Sequence, residues 1–458
     1  MLSHLLLTGV LAAASVLAAS ENLNAFLAAP PGVKFSRVAA PRPQVRTGLH
    51  TTDNHHRLQA LTHSRAGARS AAAVLGAMQR QVGGIGYENI TATTAYGTSY
   101  GIPVQFGSSH EHGGHSAGGN STLLLLLDTA SSDTWAVDSG FECIDYGGDV
   151  LPPDFCAFGP AWGGGFQYGT VPHEHFYIQY GDGEVVYGPL GYVDVTVAGI
   201  TVRNQTVALA NQTYWYGDNV TSGVVGLAYP SLTNAYWGDG DEHSPYLQDT
   251  YLPLFTNMVQ QGLEPGVFTI AISRNSSGGV IAFGGVPYGL PGMDYTAYAT
   301  CDIIITNLVD LPYTAVEYSF YTVIPDGFMY GGVSDRTKYP FIVDTGTTLI
   351  YLPPSVAEAI NNLFDPPGEY MWGYGAYFTA CDAVAPPFAV VLDGQPFYVN
   401  PVDMIYRGVQ DPISGLCMTA VTSGGTGPFI LGSAWLQNVV ATFDVDNAEM
   451  TFVGRRFY

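Results

Sequence analysis

The chain has 458 residues, including 56 Gly, 29 Pro and 30 Tyr, and only 12% are charged. That length accommodates two packed lobes plus removable segments, and the composition suits a β-rich, turn-rich protein better than a helical one. The formal net charge of −23 excludes a nucleic-acid partner, which needs clustered Lys and Arg, and is compatible both with plain solubility and with work at low pH.

Residues 1–20 read as an export signal: 5–17 is mostly apolar, and the small residues Ala18, Ala19 and Ser20 follow. That run is short for a spanning helix and no later stretch is long and apolar enough. The C-terminal residues 452–458 carry Arg455 and Arg456 in place of an apolar anchor tail, so no membrane anchor is expected. Residues 21–85 hold eight basic side chains (Lys34, Arg37, Arg42, Arg46, Arg57, Arg65, Arg69 and Arg80) against Glu21 and Asp53, which leaves the remainder at −29. This stretch reads as a propeptide laid electrostatically over an acidic body as its inhibitor. Acid loosens it by protonating the carboxylates. Its removal is expected between Gln81 and Tyr96.

Six sequons, at Asn89, Asn120, Asn204, Asn211, Asn219 and Asn275, support glycosylation and an extracellular or vacuolar location. Five cysteines fit an oxidising compartment. Those close in sequence are expected to pair, Cys143 with Cys156 and Cys381 with Cys417. Cys301 is left as a buried thiol with no flanking His to activate it. Strand-like runs follow at 123–127, 176–180, 191–197, 267–272 and 280–283, with Gly-rich turns between them. Helical candidates are 254–261 and 355–364, the second opened by Pro353 and Pro354. An all-β dominated fold is expected, with one lobe over 86–272 and a second over 273–458.

The informative feature is a duplication. Five leucines at 123–127 lead into Asp128-Thr129-Ala130-Ser131-Ser132, and Phe341-Ile342-Val343 lead into Asp344-Thr345-Gly346-Thr347-Thr348. Each has an apolar-apolar-Gly echo downstream, Val224-Val225-Gly226 and Ile430-Leu431-Gly432. One such turn is weak evidence, whereas two in matching contexts are strong. Two carboxylates held in contact cannot both ionise, so one serves as general base on a water and the other, protonated, polarises a carbonyl. Two similar lobes meeting at a cleft place such a pair. Ser131 and Thr347 stand where their hydroxyls bond their own Asp, and Thr129 and Thr345 where theirs reach across and lock the loops.

Across roughly 96–452 the chain resembles the pepsin-like aspartic proteases. The matching segments are Asp-Thr-Ala-Ser-Ser-Asp-Thr-Trp (128–135), Tyr-Gly-Asp-Gly (180–183), Gly-Val-Val-Gly-Leu-Ala-Tyr-Pro (223–230), Asp-Thr-Gly-Thr-Thr-Leu (344–349) and Phe-Ile-Leu-Gly-Ser-Ala-Trp-Leu (429–436). The resemblance implies a bilobal fold with a long cleft, a hairpin flap carrying Tyr180, Gly181 and Asp182, and Trp135 bonded to Tyr180. It implies an acid-active endopeptidase, made as a zymogen, monomeric and without metal or cofactor, that acts on polypeptide substrates. Ala130 departs from the family's usual glycine; its methyl would strain the turn if φ were positive and would crowd the catalytic water. The rival reading is a catalytically silent polypeptide-binding protein of the same fold.

Tyr214, Trp215 and Val224 are expected to wall the subsite before the scissile bond, with Phe320 and Tyr321 facing them, which would favour large hydrophobic side chains around the cut. His110, His112 and His115, and His173 with His175, are poor metal candidates, because neither set matches a helical His-Glu-x-x-His.

Overall fold

The computed structural model describes residues 86–92, 99–107, 121–238, 243–274, 278–287, 290, 293–306 and 317–456. The signal and basic segments, Asn120, Asn275 and the His110, His112 and His115 cluster lie outside the described residues.

The five leucines form the middle of the strand Ser121–Asp128. Alternation buries Leu123, Leu125 and Leu127 in the main core and leaves Leu124 and Leu126 half-buried on the opposite face. The strand pairs antiparallel with Tyr100–Phe106 and parallel with Gly223–Gly226, where Asp128 lies opposite Gly226. The far edge of Gly223–Gly226 pairs antiparallel with Thr134–Ile144. The chain therefore leaves the Asp strand by a loop, returns two strands over, and receives a distant segment between the two.

The second lobe repeats this plan. Phe341–Val343 runs parallel to Phe429–Leu431, whose other edge pairs antiparallel with Ile350–Leu352. The echoes seen in sequence are the inserted strands. Their glycines stand where the Asp loops cross over: a Cβ on Gly226 would lie 2.6 Å from Ser131 O, and one on Gly432 would lie 2.5 Å from Thr347 O. Only a residue without Cβ fits beneath each loop.

A six-stranded sheet joins the halves in the order Gly86–Ala92, Gly279–Phe283, Val267–Ile272, Val439–Asp444, Glu449–Arg455, Met293–Asp302. Residues 272 and 273 lie at the end of the first strand of the hairpin Val267–Ile272 and Gly279–Phe283, and strands from both halves of the chain meet in this sheet. All of Val267–Ile272 is buried, and Phe268 stacks on Phe443 with ring centroids 4.4 Å apart. Gln437 Nε2 donates to Tyr100 Oη at 2.8 Å between the halves.

The expected helices form as Leu254–Gln260 and Pro354–Asn361. A third, Ser433–Leu436, follows the second echo and is too short to show a period. Cys143–Cys156 and Cys381–Cys417 are bonded. Cys301 is partly buried, and burial, then nearby Asp393, Asp326 and Asp302, pushes its thiol up to about 12, which keeps it un-ionised.

Two buried carboxyl groups outside the duplicated turns tie stability to acid. Burial pushes Asp133 up to about 6 and Asp444 up to about 7, against their hydrogen bonds to Asn234 and Tyr251, and to Asn447. Because the folded-state values are raised, this stability is fully present below about pH 4 and is lost as pH rises through 6 and 7. It amounts to about 3 kcal/mol for Asp133 and about 4 kcal/mol for Asp444. Urea unfolding followed against pH is therefore expected to show declining stability toward neutrality. Asp444→Asn, which can still bond Asn447, should flatten the decline; an identical pH dependence in that variant would refute the assignment.

Candidate active site

The loops after the two Asp strands meet and bond to each other. Thr129 N–H donates to Thr345 Oγ1 at 3.2 Å, and Thr345 N–H donates to Thr129 Oγ1 at 3.0 Å. The hydroxyls pass the interaction on: Thr129 Oγ1 donates to Val343 O at 2.9 Å and Thr345 Oγ1 donates to Leu127 O at 2.7 Å. Both threonines are buried. Such bonds contribute about 1 kcal/mol each, while a buried donor left unpaired costs about 1–3 kcal/mol, so the loops are held in one register.

This register brings Asp128 and Asp344 together with matching environments. Asp128 Oδ2 accepts from Ser131 Oγ at 2.6 Å and Asp344 Oδ2 from Thr347 Oγ1 at 2.5 Å. Asp128 Oδ1 accepts from Ala130 N–H at 2.7 Å and Asp344 Oδ1 from Gly346 N–H at 2.8 Å. Both side chains are buried, and the two carboxyl groups hydrogen-bond to each other. Burial, then the charge of Asp128, holds the Asp344 carboxyl well above the usual carboxylate range. The pair thus retains a proton where isolated carboxylates would have lost it, and offers one base and one acid in the same place.

Gly346 is constrained by this closeness. A Cβ there would stand 2.9 Å from Asp128 Oδ1 and 3.3 Å from Asp344 Oδ1. Ala130, its counterpart, does not adopt a positive φ, so its methyl brings no turn strain.

The dyad lies at the floor of a cleft of about 800 Å³. The hairpin of Thr170–Gln179 and Val185–Val197 overhangs it, and its turn residues Tyr180, Gly181 and Asp182 line the cleft. Trp135 Nε1 donates to Tyr180 Oη at 2.8 Å, and the Trp215 ring lies 5.6 Å from Tyr180 and 5.1 Å from Trp135. Trp215, Val224 and Phe320 line the cleft. Two expected wall residues do not. Tyr214 turns to bond the Tyr216 hydroxyl, and Tyr321 is a core residue whose hydroxyl donates to Leu227 O at 2.6 Å. Sequence reasoning missed Glu184, Tyr216, Tyr351 and Met418 in the lining. The acid spacing of Asp182 and Glu184 in the flap turn was the one available signal.

His175 Nδ1 lies 2.8 Å from Gly238 O, and the His175 and His243 rings pack among Tyr177 and Tyr236. Among the described residues no group of three or more His, Cys, Asp or Glu side chains gathers as metal ligands would.

A family model described as eukaryotic aspartyl protease matches residues 116–454. A probable aspartic-type endopeptidase of Aspergillus fumigatus is 40% identical over 343 residues, covering 73% of this chain and 76% of that protein. Gastricsin of Rattus norvegicus is 30% identical, covering 71% and 75%. An aspartic proteinase structure from Irpex lacteus superposes with a TM-score of 0.58 at 18% identity, covering 82% of this chain and 98% of that one, which speaks for the fold alone.

Gly346→Ala tests how tightly the two carboxyl groups are placed. The fixed Cβ would push them apart, and a displacement near 1 Å costs about 100-fold in rate. Turnover of a peptide should fall by at least that factor while near-ultraviolet circular dichroism is retained; wild-type turnover would show slack in the loop.

Proposed function

The chain belongs to the eukaryotic aspartyl protease family and is an aspartic-type endopeptidase, and from that premise we propose that it works in acid through Asp128 and Asp344, preferring hydrophobic residues around the cut. The observation that carries this reading is the pair itself, two buried carboxyl groups from two lobes, each with the same hydroxyl and the same backbone N–H, in one cleft under one flap.

The ionised carboxylate takes a proton from a water, whose oxygen adds to the substrate carbonyl carbon. The protonated carboxyl gives its proton to the carbonyl oxygen, forming a neutral gem-diol. Collapse returns a proton to the departing nitrogen and restores the pair. Ser131, Thr347 and the two backbone N–H groups hold both carboxyl groups in place. Thr129 and Thr345 act one step further away, by holding the loops. Tyr180 and its Trp135 bond position the flap, and Trp215, Val224 and Phe320 offer the apolar contacts.

Ala130 N–H makes the same bond as Gly346 N–H. Ala130 lines the cleft together with Asp128 and Asp344, so its methyl takes space there that a glycine would leave to solvent. An added methyl there excludes solvent from Asp344 and adds to the burial that raises it.

The export signal, the basic 21–85 segment and the sequons fit a secreted or vacuolar glycoprotein, made as a zymogen inhibited by its own propeptide and released as a monomer. Asn89, Asn204, Asn211 and Asn219 are exposed, as glycan acceptors must be. A maturation cut before Gly86 would keep the strand Gly86–Ala92 in the shared sheet. Among the described residues no helix is long and apolar enough to cross a membrane.

Acid activation should release protein-digesting activity that pepstatin blocks. Asp128→Asn and Asp344→Asn should each lower kcat by about 1,000-fold or more while leaving the fold intact by circular dichroism. Activity that survives either change would exclude the dyad.

In Ala130→Gly the relieved desolvation of Asp344 should move the basic limb of the kcat profile to lower pH. An unmoved limb would show that the methyl has no electrostatic effect.

A further inference from the structure

The flap turn carries a second pair of carboxyl groups that peptide hydrolysis by the dyad does not use. The turn closes through Tyr180 N–H to Glu184 O at 2.8 Å and Gly183 N–H to Tyr180 O at 3.0 Å, so Glu184 stands directly opposite the flap tyrosine. Glu184 is only 8% exposed. Its Oε1 accepts Tyr216 N–H at 2.6 Å, and its own N–H donates to Asp182 Oδ1 at 3.1 Å. The Asp182 and Glu184 carboxyl groups also hydrogen-bond to each other. Tyr216 follows Trp215, the ring against which Tyr180 packs, and its hydroxyl is bonded to that of Tyr214. The flap strand already pairs with the wall strand through Val185 opposite Tyr214, and the Glu184 carboxyl group carries that attachment one step further, into the turn.

Hydrogen bonding between two carboxyl groups requires one of them to be protonated, and the low exposure of Glu184 makes a doubly ionised pair costly. We propose that Glu184 is a positioning residue of the flap: it shares one proton with Asp182, and this acid pair latches the turn to the wall at 214–216, setting Tyr180 over the dyad and gripping the substrate. The inference rests on the endopeptidase reading of the cleft.

When the shared proton is lost, two negative charges face each other in the turn, the tip of the flap loosens from the wall beyond the last paired residues Val185 and Tyr214, and the grip on substrate weakens. The groups facing the pair come from every neighbouring element. Tyr180 belongs to the flap itself, Tyr216 and Tyr214 to the wall, Asp128 to the first dyad loop, and Tyr351 to the second lobe. The charge of Asp128 bears on Asp182 and reinforces retention of the proton. Burial, then the charge of Asp182, holds Glu184 well above the ordinary carboxylate range, and burial also raises Asp182. The latch and the dyad therefore favour the same acid conditions by the same physical cause, in separate places.

Glu184→Gln separates the latch from mere packing. The amide keeps an acceptor for Tyr216 N–H and supplies Asp182 with an N–H donor that no rise in pH removes. In the matured wild type, KM for a hydrophobic peptide should climb about 10-fold as pH rises from acid toward neutrality, while in Glu184→Gln it should stay within about 2-fold. Glu184→Ala should raise KM about 10-fold even in acid, with kcat within about 3-fold of wild type. In parallel, tryptophan emission of the unliganded protein is followed against pH, with circular dichroism to establish that it stays folded. The wild type should show a step, from Trp215 and Trp135 beside Tyr180, that Glu184→Gln lacks. The emission readout needs no catalysis, so an inactive protein with the step would count against the endopeptidase reading and not against the latch. A Glu184→Gln protein whose KM profile and emission step follow wild type, or a Glu184→Ala protein with wild-type KM in acid, overturns the proposal.

Discussion

The crossed bonds of Thr129 and Thr345 are the constraint on which the rest of the cleft depends. A hydroxyl donates one hydrogen bond and accepts others, so each threonine both receives the opposite loop's N–H and returns a bond to the opposite strand's carbonyl. Two residues therefore close a reciprocal lock between segments more than 200 positions apart in sequence. Buried and fully satisfied, it admits one arrangement at low cost and penalises slippage by stranding donors. Asp128 and Asp344 follow immediately from that lock, since each is the residue next to the threonine that makes it.

The second dependency lies beneath the loops. Each is carried over an inserted strand whose glycine, Gly226 or Gly432, gives way to the passing backbone. The same glycines allow Leu227 N–H to reach Asp128 O at 2.9 Å and Ser433 N–H to reach Thr347 O at 2.7 Å, which fastens loop to strand. The dyad is thus held by backbone groups below it and hydroxyls beside it, while the flap hairpin above is held by backbone pairing on both of its strands and by side chains only at its turn.

One electrostatic theme runs through separate parts of the molecule. Asp344 in the dyad, Glu184 in the flap, Asp133 behind the first loop and Asp444 at the end of an inner strand of the shared sheet are all raised chiefly by burial. A chain that is strongly acidic and still buries carboxyl groups favours conditions in which they are neutral. Four groups in separate parts of the molecule are thus shifted in the same direction by the same physical cause.

Much of this was legible in the amino-acid sequence. Apolar or alternating runs located the strands, the twin Asp turns named the carboxyl groups and their hydroxyl partners, and proximity of the cysteines matched the two disulfides. These features are local, because the strand period, the turn and the hydroxyl two or three residues on are all set within a few positions. Other features were decided only by tertiary structure. The shared sheet gathers strands from 86–92, 267–302 and 439–455, a pairing across the whole chain that no local pattern specifies. Tyr321 became core and Tyr214 faced away from the cleft, because an aromatic ring in an apolar run looks the same on either side of a strand. Glu184 went unnoticed because its partner, the Tyr216 N–H, lies 32 residues away, just past the end of the strand Ile200–Tyr214. The sequence by itself determined which carboxyl groups and hydroxyls stand in the two matching turns. Only the folded chain decided how far apart they stand, which of them are dry enough to hold a proton, and which wall the flap leans on, because distance and burial are properties of the packed whole.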